Sequence, residues 1–487
     1  MNTKLLRQKI LDLAIRGKLT DQRKSDGTAR ELLEQISASR QPERSTKSAK
    51  SKDPTPIIPL NKSEAPFEIP NSWEWVKLGD VFNMQAGKNI AAEAIKKEYE
   101  KGLFPCYGGN GLRGYVSYYN REGDFPLIGR QGALCGNINR ATGKFYATEH
   151  AVVVEVSYGM NVPWACFFLI QLNLNQYASS TAQPGLSVAK INEVPIPLPP
   201  LAEQQRIVAK IEEAFAEIDA VEKNKELLKT HIKQTRQKIL DLAIHGKLVP
   251  QDENDEPASV LLEKILQEKV QSDNKKSPKK KKTNDITTSD NRPYEKVTVD
   301  GEPFEIPSLW EWVKLGNVCN PIKRGKSPKY AEKSNVLVFA QKCNQKNGPI
   351  SLEKALYLDE TTLSKYPQDE FLQMGDVVIN STGTGTLGRV GFFNEALPHD
   401  VKGIVPDSHV TTIRSSVVNS RYLYYFLKTR QPYLEENGEG STNQKELKPH
   451  TIYDLEFPFP PLAEQKRIVD KVEELFKSLD EILLHLV

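Results

Sequence analysis

The stretch PFEIPNSWEWVKLGDV at 66–81 decides how this sequence is organised, because it recurs almost unchanged as PFEIPSLWEWVKLGNV at 303–318. Thirteen of the sixteen positions are identical, including both tryptophans. The segment QKILDLAI also occurs twice, at 8–15 and at 237–244. Repeats of this size are the usual sequence sign of duplicated structural units. The chain is therefore predicted to contain two copies of one unit.

A third pair of copies shows that the repeat is circular. PLAEQQRIV at 200–208 returns as PLAEQKRIV at 461–469, close to the end of the chain. Aligned on these copies, the C-terminal segment stops at about the position where the N-terminal segment begins. Together the two ends rebuild the segment that runs unbroken through 201–245. We therefore expect the termini to lie near each other and the molecule to have pseudo-twofold symmetry.

The unbroken segment 201–245 has the heptad spacing of a coiled coil, with alternating steps of four and three, and Gly246 supplies a helix stop. A helix of this length measures roughly 65 Å. The split copy keeps the register, so an antiparallel two-helix rod is favoured over an ordinary amphipathic helix packed on one core. The predicted seam consists of Ile207, Ile211, Ala214, Ile218, Val221, Lys225, Leu228, Ile232, Thr235, Ile239 and Leu242, continued by Ile468, Val472, Leu475, Leu479, Ile482 and Leu486 and by Leu6, Ile10 and Leu13.

The fold class is predicted to be α+β: two globular mixed α/β domains held apart by the antiparallel coiled-coil rod, in a pseudo-twofold, circular arrangement. Each domain is rich in short β-type runs and has a helical stretch before its end, VPWACFFLIQLN or SRYLYYFLKTRQ. Between domains and helices the chain is rich in Lys, Ser, Pro, Asp and Glu, which is typical of linkers. The predicted boundaries are 1–21 for the N-terminal helix, 22–65 for a linker, 66–200 for the first domain, 201–246 for the central helix, 247–302 for a flexible Lys-rich linker, 303–460 for the second domain and 461–487 for the C-terminal helix.

Composition and motifs predict a non-catalytic protein of the cytoplasm. The 487 residues carry a formal net charge of only +3, no apolar run approaches the length of a membrane span, and the five cysteines form no CxxC pair. GTGTLG at 383–388 fits GxGxxG but precedes the strand-like RVGFF, so it is interpreted as a turn. Pro406-Asp407 with Glu446 and Lys448 matches a nuclease pattern only formally. No catalytic, metal or cofactor site is predicted in this chain.

Recognition of duplex DNA suits two modules on one rod, because the partner is itself long and nearly twofold. Arginine favours guanine, Asn and Gln favour adenine, and lysine mostly meets phosphate. The candidate DNA-binding residues are these types in the two divergent domains. They are Lys88, Asn110, Arg113, Arg130, Gln131 and Lys190 in the first, and Lys323, Arg324, Lys326, Lys342, Asn344, Gln345, Lys346, Arg389, Asn443 and Lys445 in the second.

Nearly the whole chain resembles the specificity (S) subunit of type I restriction–modification systems. The most specific marks are PxPPLAEQxRIV at 197–208 and 458–469, IPxxWEWVKLG at 69–79 and 306–316, and the circularly arranged helices. The resemblance implies two target recognition domains, each reading half of a split site in double-stranded DNA. It also implies that the helices dock two methyltransferase (M) subunits, which restriction/translocase (R) subunits join. S-adenosylmethionine, ATP and magnesium would belong to those partners.

Two other functions stay open at the sequence level. A free-standing DNA-binding regulator would bind its target alone, without a methyltransferase. A coiled-coil scaffold that presents two protein-binding domains would not bind DNA even when a methyltransferase is present. The tryptophans of the repeated stretch are predicted to anchor a core rather than to stack on bases. They are Trp73, Trp75, Trp310 and Trp312.

Overall fold

The structure is a computed structural model. It describes residues 2–39, 56–61, 65–132, 134–156, 158–179, 185–274, 304–346, 349–383, 385–440 and 445–486. The candidate Asn443 and the Lys-rich run 275–282 lie outside the described residues. The chain divides into two compact units, unit 1 (Met1–Glu226) and unit 2 (Leu227–Val487). Among the described helices, none is long and apolar enough to cross a membrane.

Unit 1 is built from helices that pack beside two antiparallel-rich sheets, as expected for an α+β fold. Its helices are α1 (Thr3–Ile15), α2 (Ala29–Ser39), α3 (Leu78–Val81), α4 (Val162–Gln171), α5 (Val188–Asn192) and the first part of α6 (Leu201–Ile244). Its strands are β1 (Glu74–Lys77), β2 (Phe82–Ala86), β3 (Phe104–Gly108), β4 (Gly111–Val116), β5 (Arg121–Gly129), β6 (Ile138–Ala147), β7 (Ala151–Val156) and β8 (Pro195–Leu198).

The larger sheet of unit 1 has the strand order β2-β7-β5-β6-β3-β4, and β1 pairs separately with β8. Among the strands described in unit 1, all pairs are antiparallel except β3 with β6, where Cys106 lies opposite Tyr146. The main core lies between this sheet and α1, α2, α4 and α6. Trp164 and Phe168 of α4 are fully buried there, which confirms the helix predicted before the end of this domain.

Unit 2 repeats this plan with more strands. Its helices are the last part of α6, α7 (Ala258–Asn274), α8 (Leu315–Val318), α9 (Ser420–Glu436), α10 (Pro449–Tyr453) and α11 (Leu462–His485). Its strands are β9 (Glu311–Lys314), β10 (Ile322–Arg324), β11 (Tyr330–Ala331), β12 (Val336–Phe339), β13 (Leu356–Leu358), β14 (Val377–Asn380), β15 (Val390–Phe392), β16 (Gly403–Pro406), β17 (Val410–Ile413) and β18 (Glu456–Phe459).

The strands of unit 2 form two four-stranded sheets, β10-β17-β14-β15 and β11-β13-β12-β16, and the separate pair β9-β18. Among the described strand pairs of unit 2, only β12 and β16 are parallel, with Val336 opposite Gly403. They correspond to β3 and β6 of unit 1. The sequence GTGTLG connects β14 to β15 and opens no helix, so its interpretation as a turn is confirmed.

The repeated tryptophan stretch is held to the repeated LAEQ segment by a buried hydrogen bond. In unit 1 the Trp73 indole Nε1 donates to Glu203 Oε2 at 2.7 Å, and in unit 2 Trp310 donates to Glu464 Oε2 at 2.8 Å. Both glutamates are almost completely buried, where an unpaired carboxylate is costly. Trp73, Trp75, Trp310 and Trp312 are all buried, as predicted. The two sequence blocks recur together because they are halves of one contact.

The remaining polar residues of LAEQxR are matched in the same way. Arg206 pairs with Asp26 in unit 1, and Arg467 pairs with Asp255 at 2.6 Å in unit 2. The glutamine two positions before each arginine accepts a backbone N–H at the start of a helix, α4 in unit 1 and α9 in unit 2. Gln204 receives it from Asn161 at 3.1 Å, and Gln465 receives it from Asn419 at 2.7 Å.

The repeated QKILDLAI helices end at glycines that also touch the tryptophan stretch. Gly17 and Gly246 have φ values of +65° and +64°, which favour glycine. A Cβ at Gly17 would clash with the Pro70 ring and lie 3.2 Å from Trp73, and a Cβ at Gly246 would meet Pro307 and Trp310 in the same way. Gly246 is therefore the helix stop that its sequence predicts, and it also allows close packing.

Within each unit, α6 runs antiparallel to a terminal helix. Arg7 on α1 pairs with Asp219 at 2.5 Å, whereas Thr20, just after α1, bonds to Glu203 at the start of α6. In unit 2, Arg236 pairs with Asp480 of α11 at 2.6 Å.

Burial along the predicted seam is uneven. Ile207, Ile211, Ile218, Ile232 and Ile239 are buried, whereas Val221 and Leu228 are 47% and 37% exposed. The ends of α6 pack on the globular cores, and its middle keeps apolar residues at the surface.

Parts of the predicted linkers are folded. Ala29, Leu32 and Leu33 of α2 are buried in the core of unit 1, and Ala258 and Leu262 of α7 occupy the same place in unit 2. The Ala29 N–H donates to Ser72 O at 2.8 Å, and the Ala258 N–H donates to Leu309 O at 2.9 Å. These residues do not belong to a solvated linker. Their short helical patterns signal an amphipathic helix that completes the core.

Candidate nucleic-acid interface

A glycine–lysine pair begins the loop cluster of unit 1. Gly87 crosses the end of β6 so closely that a Cβ would clash with the carbonyl oxygens of Ala147 and Thr148. The Gly87 N–H donates to Ala151 O at 2.9 Å, and the Lys88 N–H donates to Ala147 O at 3.0 Å. These bonds place Lys88, which is exposed, beside the turn formed by residues 148–150. We call that turn the histidine turn of unit 1.

The described residues between β5 and β6, 129–132 and 134–137, pack against the same turn and are called the glycine loop. The Arg130 N–H donates to His150 O at 3.0 Å, and Arg130 O accepts from Leu186 N at 2.9 Å. Gln131 pairs with Gly185 in an isolated β-bridge. Gly109, in the turn between β3 and β4, faces the carbonyl oxygens of both His150 and Gln131. The histidine turn therefore lies between two loops.

Five of the six candidates of unit 1 come together in this way. Arg113 packs over Gly108, close to Thr148 Oγ1, and Asn110 lies at the tip of the same turn. Burial raises the pKa of the Cys106 thiol beneath them, an effect that Arg113 opposes and Glu149 reinforces. Loop cluster 1 is defined as the five candidates and the histidine turn: Lys88, Asn110, Arg113, Arg130, Gln131, Thr148, Glu149 and His150.

Loop cluster 1 is basic, and its polar groups are poorly paired. Within the described part of the chain, Lys88, Arg113 and Arg130 form no ion pair. Among the described residues, the one charge contact of the cluster joins His150 Nε2 to Glu149 Oε1 at 3.1 Å. Four buried polar atoms of the cluster have no hydrogen-bond partner among the described residues. They are Arg130 Nε, Thr148 Oγ1, Glu149 Oε2 and His150 Nδ1.

Lys190 is the sixth candidate of unit 1 and is placed elsewhere. It is an exposed residue of α5, and its N–H donates to the N-cap hydroxyl Ser187 Oγ at 3.2 Å. Helix α5 follows directly after Leu186, the residue that bonds to the glycine loop. Lys190 therefore flanks loop cluster 1 and is not one of its members.

Unit 2 builds the same backbone frame from a different sequence. Gly325 bonds to Val410 O at 2.9 Å, as Gly87 bonds to Ala151. The Ser381 N–H donates to His409 O at 2.8 Å, and Ser381 O accepts from Leu447 N at 2.8 Å. The matching elements are the Gly-Lys pair 325–326, the glycine loop with its described residues 380–383 and 385–389, and the histidine turn 407–409.

The lysines and the arginine of KRGK form ion pairs with carboxylates in unit 2. Lys323 and Lys326 both bind Glu370, the latter at 2.6 Å. Burial acts to raise the pKa of Glu370, but the two lysines outweigh it and the pKa is lowered. Arg324 binds Glu446 and the Ser408 carbonyl oxygen. At the positions of Arg324 and Glu446, unit 1 has Ala86 and Gly185, so this ion pair is specific to unit 2.

Asn344 and Arg389 are structural residues in the described conformation. Asn344 is only 3% exposed, and its Nδ2 donates to Asn380 Oδ1 at 3.2 Å and to Arg389 O at 3.0 Å. The predicted base contact of Asn344 is therefore not supported, because its amide is inside the protein. Arg389 is half-buried and donates to the carbonyl oxygens of Asn344 at 2.7 Å and Gly385 at 3.1 Å. It braces the glycine loop.

Of the remaining candidates of unit 2, Lys342 lies near the histidine turn. Burial raises the pKa of Asp407, and His409, Arg324 and Lys342 oppose this, which places Lys342 within electrostatic range. Lys342, Lys346 and Lys445 are exposed, and Gln345 is half-buried. Loop cluster 2 is defined as the residues that share the frame of loop cluster 1: Arg324, Lys326, Ser381, Thr382, Asp407, Ser408, His409 and Glu446.

The histidine turns are the functional candidates that sequence reasoning missed. EHAVVV at 149–154 and SHVTTI at 408–413 share only the histidine, which sits immediately before a buried strand in both. That shared histidine at the start of a strand is the one sequence signal that marks the turns.

The fold and the two loop clusters define a class of protein: a duplicated module that presents a polar loop cluster in each copy. A family model, the type I restriction modification DNA specificity domain, matches residues 70–230 and 307–485. The chain belongs to this family.

Individual relatives agree with the family. The type I restriction enzyme EcoEI specificity subunit of Escherichia coli is 26% identical over 98% of this chain and 90% of its own length. The EcoprrI specificity subunit of the same species is 51% identical over 27% of this chain and 33% of its own length. The crystal structure of the HsdS subunit from Thermoanaerobacter tengcongensis is similar in fold, with 18% identity, a TM-score of 0.51 and coverage of 87% of this chain and 93% of that chain.

Proposed function

We propose that this protein is the non-catalytic, sequence-specific DNA-recognition subunit of a type I restriction–modification complex. Each unit reads one half of a bipartite site in double-stranded DNA through its loop cluster. The observation that carries the proposal is the duplicated loop frame, with different side chains on it, in a chain of the DNA specificity family. A constant frame with variable polar side chains is what two readers of different half-sites require.

The second part of the proposal concerns the helices. Helix α6 and the terminal helices form a rod that holds the two recognition domains apart and docks two methyltransferase subunits. The antiparallel contacts of α1 and α11 with α6 support the rod. Val221, Leu227 and Leu228 of α6 are 47%, 49% and 37% exposed, which leaves apolar surface for a partner helix. Restriction/translocase subunits would join the methyltransferases.

Chemistry in this proposal belongs to the partners. S-adenosylmethionine, ATP and magnesium would bind the methyltransferase and restriction/translocase subunits, and no cofactor is assigned to this chain. This chain binds and positions the DNA. Its exposed lysines make charge-assisted contacts to phosphate, and its loop clusters form hydrogen bonds to base edges.

Co-expression with the neighbouring methyltransferase, followed by sequencing of methylated bases, tests the proposal. We expect one split motif to be methylated in cells that contain both proteins. Methylation that is unchanged when this chain is omitted would reject the function. DNA binding without a methyltransferase would instead favour a free-standing regulator.

A further inference from the structure

We propose that the histidine turn of each unit, residues 148–150 in unit 1 and 407–409 in unit 2, is a base-reading element that sets half-site specificity. This inference rests on the proposed function and deepens it. It assigns reading to residues that the sequence patterns do not single out.

The two histidine turns share their backbone hydrogen bonds but differ in their side chains. Backbone hydrogen bonds fix both turns in the same way: Thr148 N donates to Tyr107 O at 2.9 Å, and Asp407 N donates to Phe339 O at 3.0 Å. On this frame the side chains read Thr-Glu-His in unit 1 and Asp-Ser-His in unit 2. The first position belongs to the frame, because Thr148 is fully buried and the buried Asp407 Oδ1 accepts from the His409 N–H at 2.8 Å. The second and third positions are half-buried or exposed, and their side chains are free to serve recognition: Glu149 and His150 in unit 1, Ser408 and His409 in unit 2.

The histidine turn of unit 1 contains buried polar atoms that lack hydrogen-bond partners among the described residues. Thr148 Oγ1, Glu149 Oε2 and His150 Nδ1 are buried atoms without a hydrogen-bond partner among the described residues. Buried polar atoms in folded proteins are nearly always paired, and each exception needs an explanation. All three belong to one turn, and Arg130 Nε next to them is unpaired as well. A base edge that enters the cluster would supply the missing donors and acceptors.

In unit 2, a hydrogen bond fixes the orientation of the histidine side chain. His409 is exposed, and its Nδ1 lies 2.6 Å from Thr382 Oγ1. That bond fixes the ring plane and leaves Nε2 without a partner among the described residues. An oriented imidazole presents one donor or acceptor in a fixed direction. Ser408 is held through its carbonyl oxygen by Arg324, so its hydroxyl is also available.

The chemistry of the ligand follows from these groups. A glutamate accepts a hydrogen bond from the cytosine amino group, an arginine donates to guanine, and an imidazole bonds to either a donor or an acceptor. Unit 1 combines all three, and unit 2 offers a hydroxyl and an imidazole. The two turns therefore read different bases in the grooves of duplex DNA.

The test uses the complete complex with its methyltransferase subunits and S-adenosylmethionine. The substrates are duplex oligonucleotides that carry the methylated motif, with one base pair replaced at a time. The variants are Glu149→Ala for unit 1 and His409→Ala for unit 2. The matched control is Lys144→Ala, an exposed residue on β6 outside the loop clusters. Thermal unfolding of each variant checks the fold.

We expect Glu149→Ala to reduce discrimination roughly 10- to 100-fold at one or two adjacent base pairs of one half-site. His409→Ala should do the same in the other half-site, and Thr382→Val, which releases the imidazole, should follow His409→Ala with a smaller effect. Lys144→Ala should match the wild type.

If folded variants discriminate between base pairs as the wild type does, the inference is overturned. A loss of methylation that is equal on every substrate would also overturn it, because such a loss indicates a contact to phosphate. If the wild-type complex methylates a split site and these results are negative, only the histidine-turn inference fails. If the wild-type complex methylates no split site, the proposed function itself fails.

Discussion

Replacement of Gly17 by alanine tests whether the repeated sequence blocks recur because they touch. The φ of +65° at Gly17 costs alanine roughly 1–2 kcal/mol. The new Cβ would also clash with the Pro70 ring and press on Trp73, and forced repacking of this kind costs about 1–3 kcal/mol more. The expected loss in the free energy of unfolding is therefore about 2–5 kcal/mol for Gly17→Ala.

A matched control separates the backbone term from the packing term. Gly143, on β6 opposite Gly123 of β5, has a similar φ of +74°, but a Cβ there meets nothing within 4 Å. Gly143→Ala should lose only the backbone term, about 1–2 kcal/mol. Urea unfolding followed by tryptophan fluorescence measures both variants. Equal losses for Gly17→Ala and Gly143→Ala would refute the packing argument and the explanation of the repeats.

Three further predictions address the surface, the buried carboxylate and the rod. Lys88→Ala should weaken binding of all DNA sequences alike, and should reduce the magnitude of the slope of log K against log salt concentration by about 0.9. Lys144→Ala is the control. A loss of affinity that depends on the DNA sequence would mean that Lys88 reads bases. Burial raises the pKa of Glu464, so the native state holds its proton more tightly and the associated stability is lost as pH rises above the ordinary value of 4.5. Glu464→Gln should remove this part of the pH dependence. Unfolding curves at several pH values measure it, and the same pH dependence in Glu464→Gln and in the wild type would contradict the prediction. One added heptad in 201–245 with a matching one in 462–487 lengthens the proposed rod by about 10 Å. This corresponds to roughly three base pairs of spacer. An optimum that stays at the parental spacer in methylation assays would exclude the rod as the ruler.

The sequence predicts the parts of the fold that side chains specify. Trp73 and Glu203 lie in blocks that recur because each needs the other, and the heptad pattern predicts α6 to within two residues at its C-terminal end. The turn chemistry of Gly246 is equally local. In each case the physical cause leaves a mark in residue identity, so a repeat search finds it.

The sequence does not reveal the common frame of the loop clusters, because backbone groups build it. The bond from Arg130 N to His150 O has the same geometry as the bond from Ser381 N to His409 O, although only the histidine is shared. Residue type also says little about burial. Asn344 has the chemistry of a base-reading residue, yet its amide is used inside the protein to hold the glycine loop.

Exchange of one recognition domain tests most directly that each unit reads its own half-site. The change replaces residues 66–200 with the matching domain of another member of the family and leaves unit 2 and the helices in place. Methylated bases are then mapped in cells that also contain the methyltransferase. We expect one half of the split motif to change while the other half is retained. A motif in which both halves change, or neither does, would contradict it.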